Sequence, residues 1–170
     1  MSMSISASLC PVTNILQPEN MLDYSSPDVM SDLSNAYENR RGVSFPGKQT
    51  PTIRAYFNAP VAITTVALQP IFRTFTTNII KFSVYYVTLD DKPYVDPKTR
   101  KILTFTSTDG DESLTIQHDM INNLKGLNVT ILGTSGSTPT WFRLKVLGCY
   151  KPSKSVMDDR FELKLSTTLS

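Results

Sequence analysis

The sequence predicts an all-β protein, an antiparallel β-sandwich, on three observations. Apolar and polar residues alternate in short runs, the period of strands with one buried face. Turn residues separate those runs, and no long stretch carries the 3.6-residue period of an amphipathic helix. Charged residues make up only 19% of the chain, below the usual quarter, so Ser and Thr cover much of the surface. With 170 residues the chain can bury one continuous core, and it shows no internal repeat.

Taken in order, residues 1–9 are Ser-rich and read as a flexible N-terminal segment. From Cys10 to Gly47 no period holds. Pro11, Pro18, Pro27 and Pro46 punctuate a region of loops, with one helical turn around Pro18 to Leu22. A stretch of this kind inside a compact domain is a candidate binding surface, because loops on a rigid scaffold carry binding residues. Thr52 to Asn58 then alternates Ile53, Ala55 and Phe57 against Thr52, Arg54 and Tyr56. Ala59-Pro60 is read as a turn, and Val61 to Leu68 as a second strand antiparallel to the first.

Gln69 to Thr77 is predicted to be a loop carrying Phe72, Arg73 and Phe75. Asn78 to Leu89 is the longest predicted strand, with Ile80, Phe82, Val84 and Tyr86 on one face, and Asp90-Asp91-Lys92-Pro93 turns the chain. Beyond the polar connection from Tyr94 to Arg100, Lys101 to Thr106 is a strand, Asp109-Gly110 a turn and Ser113 to Gln117 another strand. His118 to Lys125 reads as a short helix stopped by Gly126. Leu127 to Leu132 and Thr140 to Tyr150 complete the set, the latter with Phe142, Leu144 and Val146 facing a core. Past Cys149, Lys151 to Ser155 has linker composition and Arg160 to Ser166 offers one more strand. The domain is therefore placed at residues 10–150, with 151–170 a linker and possible extra strand.

A net charge of +2 with basic residues scattered singly, Arg40-Arg41 excepted, gives no field that would argue for nucleic acid or an anionic membrane as partner. No apolar run approaches the roughly 18 residues of a membrane span. Catalytic inventory is thin. The single histidine, His118, stands beside no nucleophile motif and reads as a solvated helix cap, and the paired carboxylates fall in turns, where Asp serves the backbone. Metal-type spacing of Cys and His is absent, so no enzyme is expected. Residues 1–9 lack the basic start and apolar run of a secretory signal, so an extracellular role would make this chain a piece of a longer protein. Asn128-Val129-Thr130 is an N-glycosylation sequon whose Asn points away from the buried Leu127 and Val129.

The two cysteines, Cys10 and Cys149, stand 139 residues apart near the two edges of the predicted domain. Joined, they would enclose almost all of it, a closure contributing roughly 4 to 5 kcal/mol by chain entropy. Two unpaired buried thiols are the alternative.

With these elements in place, the chain resembles a discoidin domain, the coagulation-factor type C module among the galactose-binding-like jelly rolls. Cys10 and Leu144-Lys145-Val146-Leu147-Gly148-Cys149 resemble the family's terminal cysteine pair. Pro18-Glu19-Asn20-Met21-Leu22-Asp23 resembles the start of its first binding loop. Ala62 to Pro70 and Ile80 to Tyr86 resemble the strands that enter and leave its second. Two departures stand out. Tyr24 follows Asp23 where the family usually has Gly, and the only tryptophan, Trp141, lies in the last strand. Carbohydrate-binding members often hold a structural calcium with this Asp and a Glu of the last strand, whereas Arg143-Leu144-Lys145 stands here; Asp23 is the one metal-ligand candidate.

The resemblance implies a jelly roll with long loops at one end, a Cys10–Cys149 disulfide, and a non-catalytic extracellular adhesion or binding module of a larger surface or matrix protein. Its ligand would be a glycan or a protein, held by Tyr24, Tyr37, Arg40 and Arg41 on the first loop and Phe72, Arg73 and Phe75 on the second. Aromatic rings there could stack on a sugar face, and arginines could pair with sulfate or phosphate. The competing reading is a structural spacer, whose partners are neighbouring domains or copies of itself.

Overall fold

The computed structural model describes residues 10–28, 32–45, 50–71, 78–107, 114–135 and 141–152. Eight strands run through them: β1 (Thr13–Asn14), β2 (Met21–Ser25), β3 (Val43–Ser44), β4 (Thr52–Ile71), β5 (Asn78–Thr88), β6 (Thr104–Thr106), β7 (Leu114–Ser135) and β8 (Trp141–Tyr150). All pairings are antiparallel. Among the described residues the only helical turns are two 3-10 turns, Pro18–Asn20 and Leu33–Asn35. The first lies where Pro18 predicts it, with proline fixing φ at the first helical position.

The fold is an antiparallel β-sandwich of the jelly-roll type, and β4 and β7 are shared by both of its layers. The first half of β4 pairs with β2 on one side and with the second half of β7 on the other, which in turn pairs with β5 and then β6. The second half of β4 pairs with the first half of β7 and with β8, whose far edge carries β1 and β3. Between the layers lies one hydrophobic cluster. Ile53, Ala55 and Phe57 enter it from β4, Phe82, Val84 and Tyr86 from β5, Leu127, Val129 and Ile131 from β7, and Phe142, Leu144 and Val146 from β8. Each set keeps the two-residue period seen in the sequence.

Two expectations are corrected. Thr52–Asn58 and Val61–Leu68 are not a hairpin but one strand that bends from layer to layer at Ala59-Pro60. The ladder with β7 jumps from Tyr56↔Gly126 to Val61↔Leu124, so five positions of β4 advance against two of β7. Proline fits such a bulge because no ladder bond needs its missing N–H, and the Pro60 carbonyl still accepts from the Lys151 amide at 2.9 Å.

His118–Lys125 is not a helix but the middle of β7, so the predicted strands on either side of it are one. Here β7 carries the surplus: Ile63↔Ile121 and Thr65↔Gln117 set two positions of β4 against four of β7, and Asn123 takes a left-handed φ of 59°. His118 is accordingly no helix cap. Its Nε2 meets the Tyr86 hydroxyl, its Nδ1 lies 2.7 Å from the Asp119 carbonyl, and its ring stacks on Phe105 at 4.4 Å. Burial pushes the Tyr86 phenol well above its ordinary value. The strand predicted over Lys101–Thr106 shortens to β6, with Ile102 making only a bridge to Val95. The strand predicted over Arg160–Ser166 and the flexible segment 1–9 lie outside the described residues.

Cys10 and Cys149 form a disulfide with Cα atoms 5.8 Å apart. Beside it Gly148 is squeezed between β1 and β4: a Cβ there would stand 1.9 Å from the Ala62 carbonyl oxygen. That oxygen is backbone and cannot rotate away, so Gly148→Ala is expected to lower unfolding free energy by about 2 to 3 kcal/mol in urea titrations. Glycine is required here by space, not by φ.

Candidate binding surfaces

The disulfide marks one end of the sandwich, where Cys149 pairs with Ala62, and Ile71 and Trp141 meet at the other. That second end is where the ligand-binding residues were expected, and the structure divides them. Tyr24 and Tyr37 go to the core. Tyr37 is only 8% exposed, and Tyr24 packs on the core cluster with its ring 4.9 Å from that of Tyr37. The Tyr24 hydroxyl donates to the Ala36 carbonyl at 3.4 Å. Burial raises both phenols above their ordinary values, helped at Tyr37 by the negative charges of Asp32 and Glu19. Their rings brace the first loop from inside and present no face to a sugar, because β2 turns Asp23 and Ser25 outward in their place.

Arg40 and Arg41 are exposed, on the short path from the second 3-10 turn to β3. Asn39 takes a left-handed φ of 68° there, a conformation asparagine tolerates, and the Arg40 amide closes the turn on the Tyr37 carbonyl at 3.1 Å. Phe72, Arg73 and Phe75 lie outside the described residues; Ile71, which precedes them, pairs with Trp141. Asn128 stands on the outer face of β7, half-buried between Arg54 of β4 and Tyr85 of β5, its Nδ2 3.5 Å from the Tyr56 hydroxyl.

Asp23 does not sit in a cation site. Its carboxylate has a guanidinium partner, Arg54, at 3.6 Å and accepts from the Ser25 hydroxyl at 2.7 Å. In the last strand Lys145 is paired with Glu38 at 3.3 Å. Among the described residues no three His, Cys, Asp or Glu side chains converge on one point, and this donor set does not fit a calcium ion.

One concavity lies on strands rather than in the loops that the sequence singles out. It is a cleft of about 360 Å³ on the outer face of the β7–β4–β8 layer. Ala67 forms its floor, facing Lys145 of β8 across one ladder and Thr115 of β7 across the other, with Thr65 opposite Leu147 and Gln69 opposite Arg143 along the walls. Small side chains on the middle strand between longer ones on its neighbours leave the hollow. Glu38 closes one side. Its carboxylate is held below the usual range first by the Asn14 side-chain amide, which donates to it at 2.9 Å, and then by Lys145, so it stays ionised at neutral pH. Arg143 donates from Nε to the Arg40 carbonyl at 2.5 Å, joining the cleft to the first predicted loop. The sequence signal was the small residue in Thr65-Val66-Ala67-Leu68-Gln69, a run divided between the strand predicted to end at Leu68 and the loop predicted to begin at Gln69.

No protein-family profile and no curated protein sequence matches the chain. Solved structures do. The family 32 carbohydrate-binding module of C. perfringens NanJ, in complex with galactose, superposes over 81% of this chain and 99% of its own with a TM-score of 0.60 at 13% identity. A Streptococcus pneumoniae fucose-binding module, SpX-3, matches over 83% of this chain and 99% of its own with a TM-score of 0.55 at 10% identity. The chain shares the jelly-roll fold of these modules. SpGH29 also matches, with a TM-score of 0.59 at 9% identity over 83% of this chain, which spans only 28% of the SpGH29 chain. The galactose-binding-like jelly roll indicated by the terminal cysteines and the strand order is thus established as a fold, and residue roles do not transfer at these identities. The NanJ module and SpX-3, which this chain spans nearly end to end, are titled as binding modules.

Proposed function

We propose that this module is a non-catalytic glycan-binding domain that works outside the cell as part of a larger protein, and that it holds a neutral sugar at the end opposite the disulfide. The observation that supports this reading is the fold itself. Two structures that share it over nearly their whole length are titled as a galactose complex and as a fucose-binding module. The Cys10–Cys149 disulfide favours an oxidising compartment. Arg40 and Arg41 are exposed near the end where Ile71 and Trp141 lead toward the second predicted loop. Phe72 and Phe75 would stack on the sugar ring and Arg73 would donate to its hydroxyls, as amphipathic rings and fixed guanidinium forks do.

A glycan array followed by calorimetry tests this. Binding of a galactose- or fucose-containing glycan is expected, with Phe72→Ala and Arg73→Ala each weakening it tenfold or more while the melting temperature holds. If the parent protein binds no sugar, the glycan reading falls and the spacer role takes its place; light scattering of the full chain then reports self-association directly.

A further inference from the structure

The cleft over Ala67 differs in chemistry from the loop end, and we infer that it binds a carboxylated sugar unit, a uronic acid residue of an acidic glycan, at a site independent of the neutral-sugar site proposed above. Its volume of about 360 Å³ falls within the roughly 300–1,000 Å³ of ligand pockets. No aromatic ring among the described residues lines it, so recognition by those residues falls to charge and hydrogen bonds.

That lining is cationic. Lys145 is matched by Glu38, which leaves Arg143 as the uncompensated charge of the lining. Among the described residues, only the Nε of Arg143 is engaged. Its two terminal nitrogens have no acceptor among the described residues, which leaves them free to take a carboxylate in the paired geometry that a lysine cannot offer. Arg143 and Lys145 are two positions apart on one strand, about 7 Å, which leaves room for one pyranose ring between them. A uronic acid lying across Ala67 would set its carboxylate on Arg143 and its ring hydroxyls against Thr65, Gln69 and the Glu38–Lys145 pair. Held to a carboxylate by Asn14 and Lys145, Glu38 accepts from hydroxyls and cannot donate, which suits a polyol and opposes a second anion close by.

Calorimetric titration of the full 170-residue chain with galacturonate and glucuronate oligomers, and with their methyl esters, tests the assignment. At least one acid oligomer is expected to bind, its neutral ester at least tenfold more weakly, and binding should weaken as salt is raised. Arg143→Gln should weaken it tenfold or more. Because that change also removes the contact to Arg40, Ala67→Leu, which fills the floor and leaves every charge in place, should give a similar loss with an unchanged melting temperature. Phe72→Ala should leave acid binding intact, which separates this site from the loop-end reading. No binding of either acid, equal binding of acid and ester, or full binding by Ala67→Leu would each overturn the proposal. A sulfated, carboxyl-free oligomer bound as tightly as the acid would overturn its carboxylate specificity.

Discussion

Replacing both Cys10 and Cys149 with alanine should lower the unfolding free energy by about 5 kcal/mol, close to the whole stability of many domains of this size. The bond closes a loop across a sequence separation of 139, and the chain entropy that the unfolded state regains when so long a loop is opened sets that figure. Locally, it anchors the approach to β1, a strand of only two residues that pairs with Asn14↔Leu147 and Thr13↔Gly148. Behind β1, Ile15 and Leu16 are 2% and 0% exposed, so loss of the anchor also loosens two core residues. Urea unfolding of the double variant beside the oxidised parent measures the effect. A difference below about 1 kcal/mol would mean that β1 and its buried neighbours hold this edge unaided.

Phe142→Ala should cost about 4 kcal/mol by the same measurement, the range for emptying a buried phenylalanine site. Phe142 is fully buried in β8 and stacks on Phe45 with centroids 4.8 Å apart and planes 16° from parallel. It also faces Val43 in the β3–β8 ladder. Truncation would therefore leave Phe45 without its partner and unseat the path that carries Arg40 and Arg41, and hydrogen exchange at 39–45 should rise with the loss of stability. Leu147→Ala, on the outer face of the same strand, should cost far less because Leu147 is only half-buried.

What the sequence revealed and what it hid follow from where strands are regular. In the straight runs of β5 and β8, Phe82-Val84-Tyr86 and Phe142-Leu144-Val146 show an unbroken two-residue period, because each faces one layer throughout. Where β4 and β7 cross between layers the period slips. Ala59-Pro60 looked like a turn, and His118-Asp119-Met120 like a helix start, because bulges place extra residues that obey neither period. Tyr24 and Tyr37 misled for another reason. Both lie in a region without periodicity, and only the tertiary contact of one ring with the other shows that they line the core. The cleft was illegible because it depends on Ala67 having longer neighbours on two strands distant in sequence, Lys145 and Thr115. The disulfide and the jelly roll were legible from the two edge cysteines and the strand order, features that survive when identity to solved structures has fallen to 14% or less.

Because β4 and β7 each run through both layers, the molecule has no seam. Peeling one layer away must tear main-chain bonds in the other, so heat, denaturant or mechanical load should meet a single all-or-none transition rather than two sheets parting in turn. A ligand gripped at the loop end or in the outer cleft of such a body would pull against the whole of it.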